Sequence, residues 1–293
     1  MRGTLALLLS ILTPLATCAA ASGQSSPDKN DDPALRHAAA DALRRAVTFF
    51  HQHASAGRGG YVYRYSDDLA KREGEGKVGP DTAWVQPPGT PAVGAALLDA
   101  HALVPEPYLL DAARAAGECL VRGQLRSGGW ADRVEVGGEA RRKFAYRTEP
   151  PGRKRFNWST LDDDKTQSAI RFLCRLDRAA GFADAQIHDA AVFAVESIVT
   201  AQFPNGAWPQ GYQGPPPPQP GGEPGKRASF PEAWPRRHPG GDYWVYYTFN
   251  DGAIADTVDA MLLAADVYGE PRYRAAVVRA GEFILLAQLP EPQ

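Results

Sequence analysis

Residues 118–130 read "ECLVRGQLRSGGW", residues 196–208 read "ESIVTAQFPNGAW" and residues 282–293 read "EFILLAQLPEPQ". Each stretch runs from a Glu through aliphatics to a small residue and then Gln: Gln124, Gln202 and Gln288, 78 and 86 positions apart. Ala-rich segments with helical spacing lead into each Gln, as in "IHDAAVFAVESIVTAQ". A second apolar-periodic segment precedes each of these: "PAVGAALLDAHALV", "TQSAIRFLCRLDRAAG" and "AIADTVDAMLLAADVYG". The unit is therefore a helical hairpin closed by a short turn bearing Gly or Pro. A degenerate fourth copy opens the chain with "DALRRAVTFFHQH" and "GRGGYVY".

Strand signals are nearly absent, so the expected fold is all-α. Hairpins that cannot bury their apolar faces alone stack on their neighbours. These units exceed ordinary solenoid repeats because the connections between hairpins are long, which favours a ring of hairpins, an α/α toroid. In that topology "TAWVQPPGTP", the Gly-Gly-Trp turns, the run at Asp162 and "TFNDGA" share one rim. Long loops on a rigid scaffold are where function concentrates.

On that rim, "LDDDKTQSAIRFL" (161–173) sets three carboxylates before a helix. One Asp suffices to cap a helix; three adjacent ones repel one another by about 1 kcal/mol per pair even in water. Asn250 and Asp251 open the next hairpin in the same way. Asp162, Asp163, Asp164, Asn250 and Asp251 are thus candidate oxygen ligands for a hard cation, with Ca²⁺ the natural extracellular choice.

Between residues 131 and 160 eight basic residues face four acidic ones. Arg141, Arg142, Lys143 and Arg147 are candidates for binding a polyanion through its carboxylates. Trp130 and Trp208 are candidate plates for sugar rings. The aromatic run "DYWVYY" is a further cleft-lining candidate, and the proline-rich "GPPPPQP" reads as an insertion. No nucleophile motif, phosphate-cradling Gly loop or His pair at metal spacing occurs. Cys119 and Cys174 lie among apolar neighbours and read as buried free thiols.

A formal net charge of −2 gives no field that would gather nucleic acid or an anionic membrane. Residues 1–21 have the pattern of a secretory signal peptide, residues 22–33 that of a disordered leader, and 34–293 form the toroid domain. A lipid anchor at Cys18 is a less well-matched variant of the same reading. The expectation is a secreted protein, extracellular or periplasmic, that acts as a monomer without stable membrane insertion.

"LDDDKTQSAIRFL", "AQFPNGAWPQGY" and "YYTFNDGAIADTV", in this order, resemble the pectic acid lyases, the polysaccharide lyases of family 10. The resemblance runs from about Gly59 to the last residue. It implies an incomplete α/α toroid and cleavage of polygalacturonate by Ca²⁺-assisted anti β-elimination, with pectate oligosaccharides as ligands. It also implies that Asp162 and Asp251 are the main metal contacts. Family members usually read Asp-Asn where this chain has Asp162-Asp163. The family's proposed Arg base belongs to a stretch past the position where this sequence stops, so no residue here is assigned as base and the domain is expected to be C-terminally truncated. Three alternatives stay open: a glycoside hydrolase on the same toroid acting on uronic-acid oligosaccharides, a non-catalytic pectin-binding module, and a terpene-cyclase-like domain. The last shares the Gln-x-x-x-Gly-x-Trp pattern.

Overall fold

The computed structural model describes residues 32–57, 59–76, 78–216, 227–229 and 243–290. The signal peptide, all but the end of the leader and most of the proline-rich insertion lie outside them. Two compact units divide after Ala42. The described part of the first is the opening of helix α1 (Pro33–Phe49). There Asp32 accepts from the Ala34 N–H at 2.9 Å, so the last two residues expected in the leader instead start this helix.

In the second unit α1 ends in a π-helical turn, Phe50–Ala54. Then follow β1 (Arg64–Tyr65), β2 (Arg72–Glu73), β3 (Thr82–Trp84), α2 (Thr90–Leu103), α3 (Pro107–Gly123), β4 (Arg133–Glu135) and α4 (Gly138–Arg141). After them come β5 (Ser159–Thr160), α5 (Lys165–Ala179), α6 (Ala185–Ala201), β6 (Gly211–Tyr212), α7 (Ala253–Tyr268) and α8 (Pro271–Ala287). The three predicted hairpins are α2/α3, α5/α6 and α7/α8. Their first helices pack in a row, α2 on α5 and α5 on α7, while α3, α6 and α8 form a second row outside it. This is the double-layered arc of an incomplete α/α toroid.

Local chemistry sets the hairpin ends. Pro107 and Pro271 begin α3 and α8, where a missing N–H costs nothing. Asp184 caps α6 by accepting from the N–H groups of Gln186 and Ile187. Gly269, at φ 69°, ends α7. The strands form three antiparallel two-stranded ribbons, β1–β2, β3–β4 and β5–β6. Segments of two or three residues are too short to show an alternating pattern, which is why the sequence reading found almost none.

The repeated Gln and Trp prove structural. The Gln124 amide donates to its own turn at Gly128 O (2.9 Å) and to Ala190 O of α6 (2.8 Å). The Gln202 amide donates to Gly206 O and to Ala276 O of α8, both at 2.8 Å. One side chain thus closes a turn and ties it to the next outer helix. Gly206 permits the approach: at φ 94°, a Cβ there would sit 2.1 Å from the Arg279 carbonyl oxygen. The Trp130 and Trp208 indoles donate to Leu120 O and Ile198 O at 2.8 and 2.9 Å. Both tryptophans are completely buried. The expectation that they stack on sugar rings is corrected: neither presents a face to solvent.

On the opposite rim, buried Asp177 accepts from the Tyr268 hydroxyl at 2.9 Å and pairs with His188 Nδ1 at 2.8 Å, joining α5, α6 and α7. Cys119 and Cys174 are free and buried; burial pushes their thiols up to about 11 and about 12.

Because Trp208 fills core and pairs its N–H, Trp208→Ala is predicted to lower unfolding free energy by about 3–5 kcal/mol. Urea denaturation measures it. A variant with wild-type stability and weakened oligosaccharide binding would restore the stacking role.

Candidate metal centre

The two acidic loops enter their helices by the same backbone path. Asp162–Asp164 and Asn250–Gly252 each form one 3-10 turn before α5 and α7. In the first, Asp163 (φ 49°, ψ 38°) and Asp164 (φ 58°, ψ 25°) are left-handed. In the second, Asp251 (φ 46°, ψ 40°) and Gly252 (φ 68°, ψ 4°) match them. Asp tolerates this region better than most residues, because its short polar side chain finds local partners. Two left-handed residues in succession turn the chain away from a simple cap. Asp164, at the cap position of α5, makes no capping hydrogen bond.

The consequence is convergence. One carboxylate oxygen each from Asp162, Asp163 and Asp251 lies within 4.8 Å of the other two. Asp162 and Asp163 are half-buried and Asp251 is exposed. The main prediction of the sequence, that acids of successive hairpins face one another, is met. Asp251 is near enough to Asp162 to share a proton, and that contact raises its carboxyl above the usual range. Burial and the charges of Asp162 and Asp163 add to the rise, while Lys165 opposes it.

Polar neighbours hold the group in place. Lys165 Nζ lies 3.3 Å from Asp162 Oδ2 and 3.1 Å from Asp163 Oδ2. Gln210 donates its amide N–H to Asp162 Oδ1, and its own backbone carbonyl accepts from Leu161 N at 2.7 Å. Gln167 Nε2 donates to Leu161 O at 2.7 Å, fixing the loop from inside. Neither Lys165 nor Gln210 was foreseen as part of the site. Both stood inside the quoted motifs, in "DDDKTQ" and "WPQGY".

The other candidates go elsewhere. Asp164 pairs with Arg171, and its Oδ1 is buried without a partner. Burial raises its carboxyl, and Arg171 counteracts the rise. Asp164, a secondary candidate beside Asp162 and Asp251, therefore lies outside the group of converging carboxylates. Asn250 donates its amide N–H to Asp251 Oδ2 and steadies that side chain. Arg141 bonds Glu149 Oε1 and the Glu135 and Arg122 carbonyls, with its guanidinium 4.5 Å from the centre of the Tyr146 ring. Arg147 pairs with Asp189, donates to Gln124 Oε1 and lies over Phe193. Arg141 braces its own loop and Arg147 ties that loop to Gln124 and α6, which corrects their assignment as free polyanion binders. Arg142 pairs with Glu139 at 2.8 Å in the open, and Lys143 is exposed.

Tyr243, Trp244, Tyr246, Tyr247 and Phe249 precede Asn250 and are exposed. Tyr247 and Phe249 pack their rings against Phe283, so this run lies directly beside the acidic loop.

Compared with known families, residues 124–270 match the pectic acid lyase family, a span of half the chain that contains both acidic loops. The chain belongs to the pectic acid lyase family. The match is narrower than the resemblance read from the motifs, which began near Gly59. No curated protein matches this chain. Among solved structures, a mutant family 10 polysaccharide lyase from Cellvibrio cellulosa, in complex with trigalacturonic acid, is similar at 20% identity and a TM-score of 0.38. The similarity covers 66% of this chain and 50% of that one. A D-mannose isomerase is similar at 13% identity, TM-score 0.48, over 83% of this chain and 51% of its own. A cellobiose 2-epimerase from Spirochaeta thermophila DSM 6192 is similar at 15% identity, TM-score 0.44, over 86% and 54%. This chain thus spans about half the length of the solved lyase.

For this pectic acid lyase domain the raised Asp251 carboxyl has a stability consequence. A carboxyl raised above its unfolded value near about 4 destabilises the fold increasingly as pH climbs through the raised value. In chelator-treated protein, Asp251→Asn is predicted to raise the melting temperature at neutral pH. The gain should vanish once pH falls below about 4, the unfolded value. Thermal scans across pH check both halves.

Proposed function

We propose that this domain acts in a secreted pectate lyase, cleaving polygalacturonate by calcium-assisted anti β-elimination. The observation that carries the proposal is the trio Asp162, Asp163 and Asp251, gathered from two hairpins within the span of one ion. The donor set fits such an ion. Three carboxylates and the Lys165 ammonium leave a charge of −2, which one divalent cation would neutralise. Hard carboxylate oxygens are what Ca²⁺ takes, at about 2.3–2.6 Å.

Bound there, a divalent cation would supply charge withdrawal from a uronate carboxylate, which acidifies the neighbouring C5 proton. The protein's own part is positional. Gln210 and Lys165 orient Asp162, Lys165 orients Asp163, and Asn250 orients Asp251. A base, to which no described residue is assigned, would take the C5 proton. The C5–H electron pair becomes the C4–C5 double bond as the C4–O bond breaks, and the departing oxygen takes up a proton, leaving an unsaturated sugar. A uronate is favoured over a neutral sugar because only the former adds a carboxylate to the cation. The solved Cellvibrio lyase with trigalacturonic acid supports the same ligand class.

The alternatives fare less well. A hydrolase needs two carboxyl groups about 5–10 Å apart, whereas Asp162 and Asp251 are close enough to share a proton. A cyclase needs its acid in an aromatic-lined apolar cavity, and here the tryptophans are sealed in the core while Asp251 is exposed.

The test is ultraviolet absorbance of the unsaturated product formed from polygalacturonate, with and without chelator. Product that requires calcium is expected; a saturated product, or activity indifferent to chelation, would reject the proposal. Asp162→Ala and Asp251→Ala should each weaken calcium binding by about tenfold or more, with the circular dichroism of the wild type retained. Unchanged affinity in both would remove these residues from the site.

A further inference from the structure

Lys165 is the first residue of α5, yet its side chain is only 7% exposed. A cation in the first helical turn opposes the helix dipole, so its place calls for a specific reason. The following hairpin starts its inner helix with Ala253, so the shared left-handed path into the helix requires no Lys. The reason lies at the other end of the side chain. The ammonium points back over the preceding turn and bonds one oxygen each of Asp162 and Asp163. It also offsets the rise of the Asp251 carboxyl, so all three acids of the cluster feel it. A compact charge with three donors on a flexible stem can occupy such a place and leave it again.

We propose that Lys165 is a tethered counter-ion that competes with the divalent cation for Asp162 and Asp163. This rests on the cation reading of the site. With no ion bound, the ammonium holds the two carboxylates together against their repulsion. When an ion enters, the ammonium gives up at least one of those oxygens and remains as a neighbouring like charge. Lys165 therefore weakens the site's affinity and restricts loading to high local calcium. It is a positioning residue that sets the cation requirement, with no contact to the reacting sugar implied.

The experiment is calorimetric titration of calcium chloride into wild type, Lys165→Met and Lys165→Gln, with melting temperatures measured in chelator and in excess calcium. Methionine keeps most of the stem; glutamine keeps a donor without the charge. At least tenfold tighter calcium binding is expected in both variants, together with a lower melting temperature in chelator and a larger rise on adding calcium. Calcium bound by the variants and not by wild type would support the competition in its strongest form, while removing calcium from the wild-type reading. Equal or weaker binding by folded variants would overturn the inference and leave the wild-type site standing. Absence of binding in all three proteins would overturn the site and the inference together. Variants that stay unfolded in saturating calcium would assign Lys165 to packing and overturn the inference.

Discussion

Electrostatic repulsion between Asp162, Asp163 and Asp251 is the constraint on which this structure turns. Three carboxylates that share a space a few ångströms across disfavour one another unless positive charge or a proton intervenes. The fold does not let them separate. Two left-handed residues at the start of α5 and two at the start of α7 give both loops the same path, and carboxylates of the two loops meet. The direct packing of α5 against α7 fixes the distance between the loops. What the fold imposes as a cost is offset locally by Lys165, and under the proposed function the same arrangement would hold a divalent ion facing an acidic sugar.

That rigidity originates on the same rim, in the turns that end the outer helices and bond the acidic loop, as where Thr160 N donates to Trp130 O. Gln124 and Gln202 each close their own turn and bond the next outer helix, while the buried indoles of Trp130 and Trp208 lock the same turns from within. Each hairpin is thereby indexed to its successor. The Asp177 contacts with His188 and Tyr268 do the same at the opposite rim. A carboxylate cluster assembled from separate hairpins depends on this indexing, since a small shift between hairpins would move Asp251 away from Asp162.

The hairpin repeat was legible because its period and its Gln are carried by residues whose spacing is visible without tertiary structure. The pairing of residues 162 and 251 followed from the same logic: equivalent positions on adjacent repeats must be neighbours. The Trp reading failed for an instructive reason. A residue that recurs at hairpin ends is serving each hairpin's own closure, and recurrence was itself the signal of a core role. Arg141 and Arg147 misled because a run of charge in sequence does not reveal that Glu149 and Asp189 lie within reach. Lys165 and Gln210 were overlooked because each reads as ordinary until the carboxylates they hold are placed in space.

Membership of the pectic acid lyase family and the acid geometry point in one direction, and the idea that joins them is a single ion shared by two loops. A crystal structure of the protein grown with calcium tests it most directly. The account predicts one ion with oxygens of both Asp162 and Asp251 at about 2.3–2.6 Å, and with the Lys165 ammonium displaced from at least one carboxylate. An ion held by one loop alone, or calcium bound elsewhere with the Lys165 contacts intact, would contradict it.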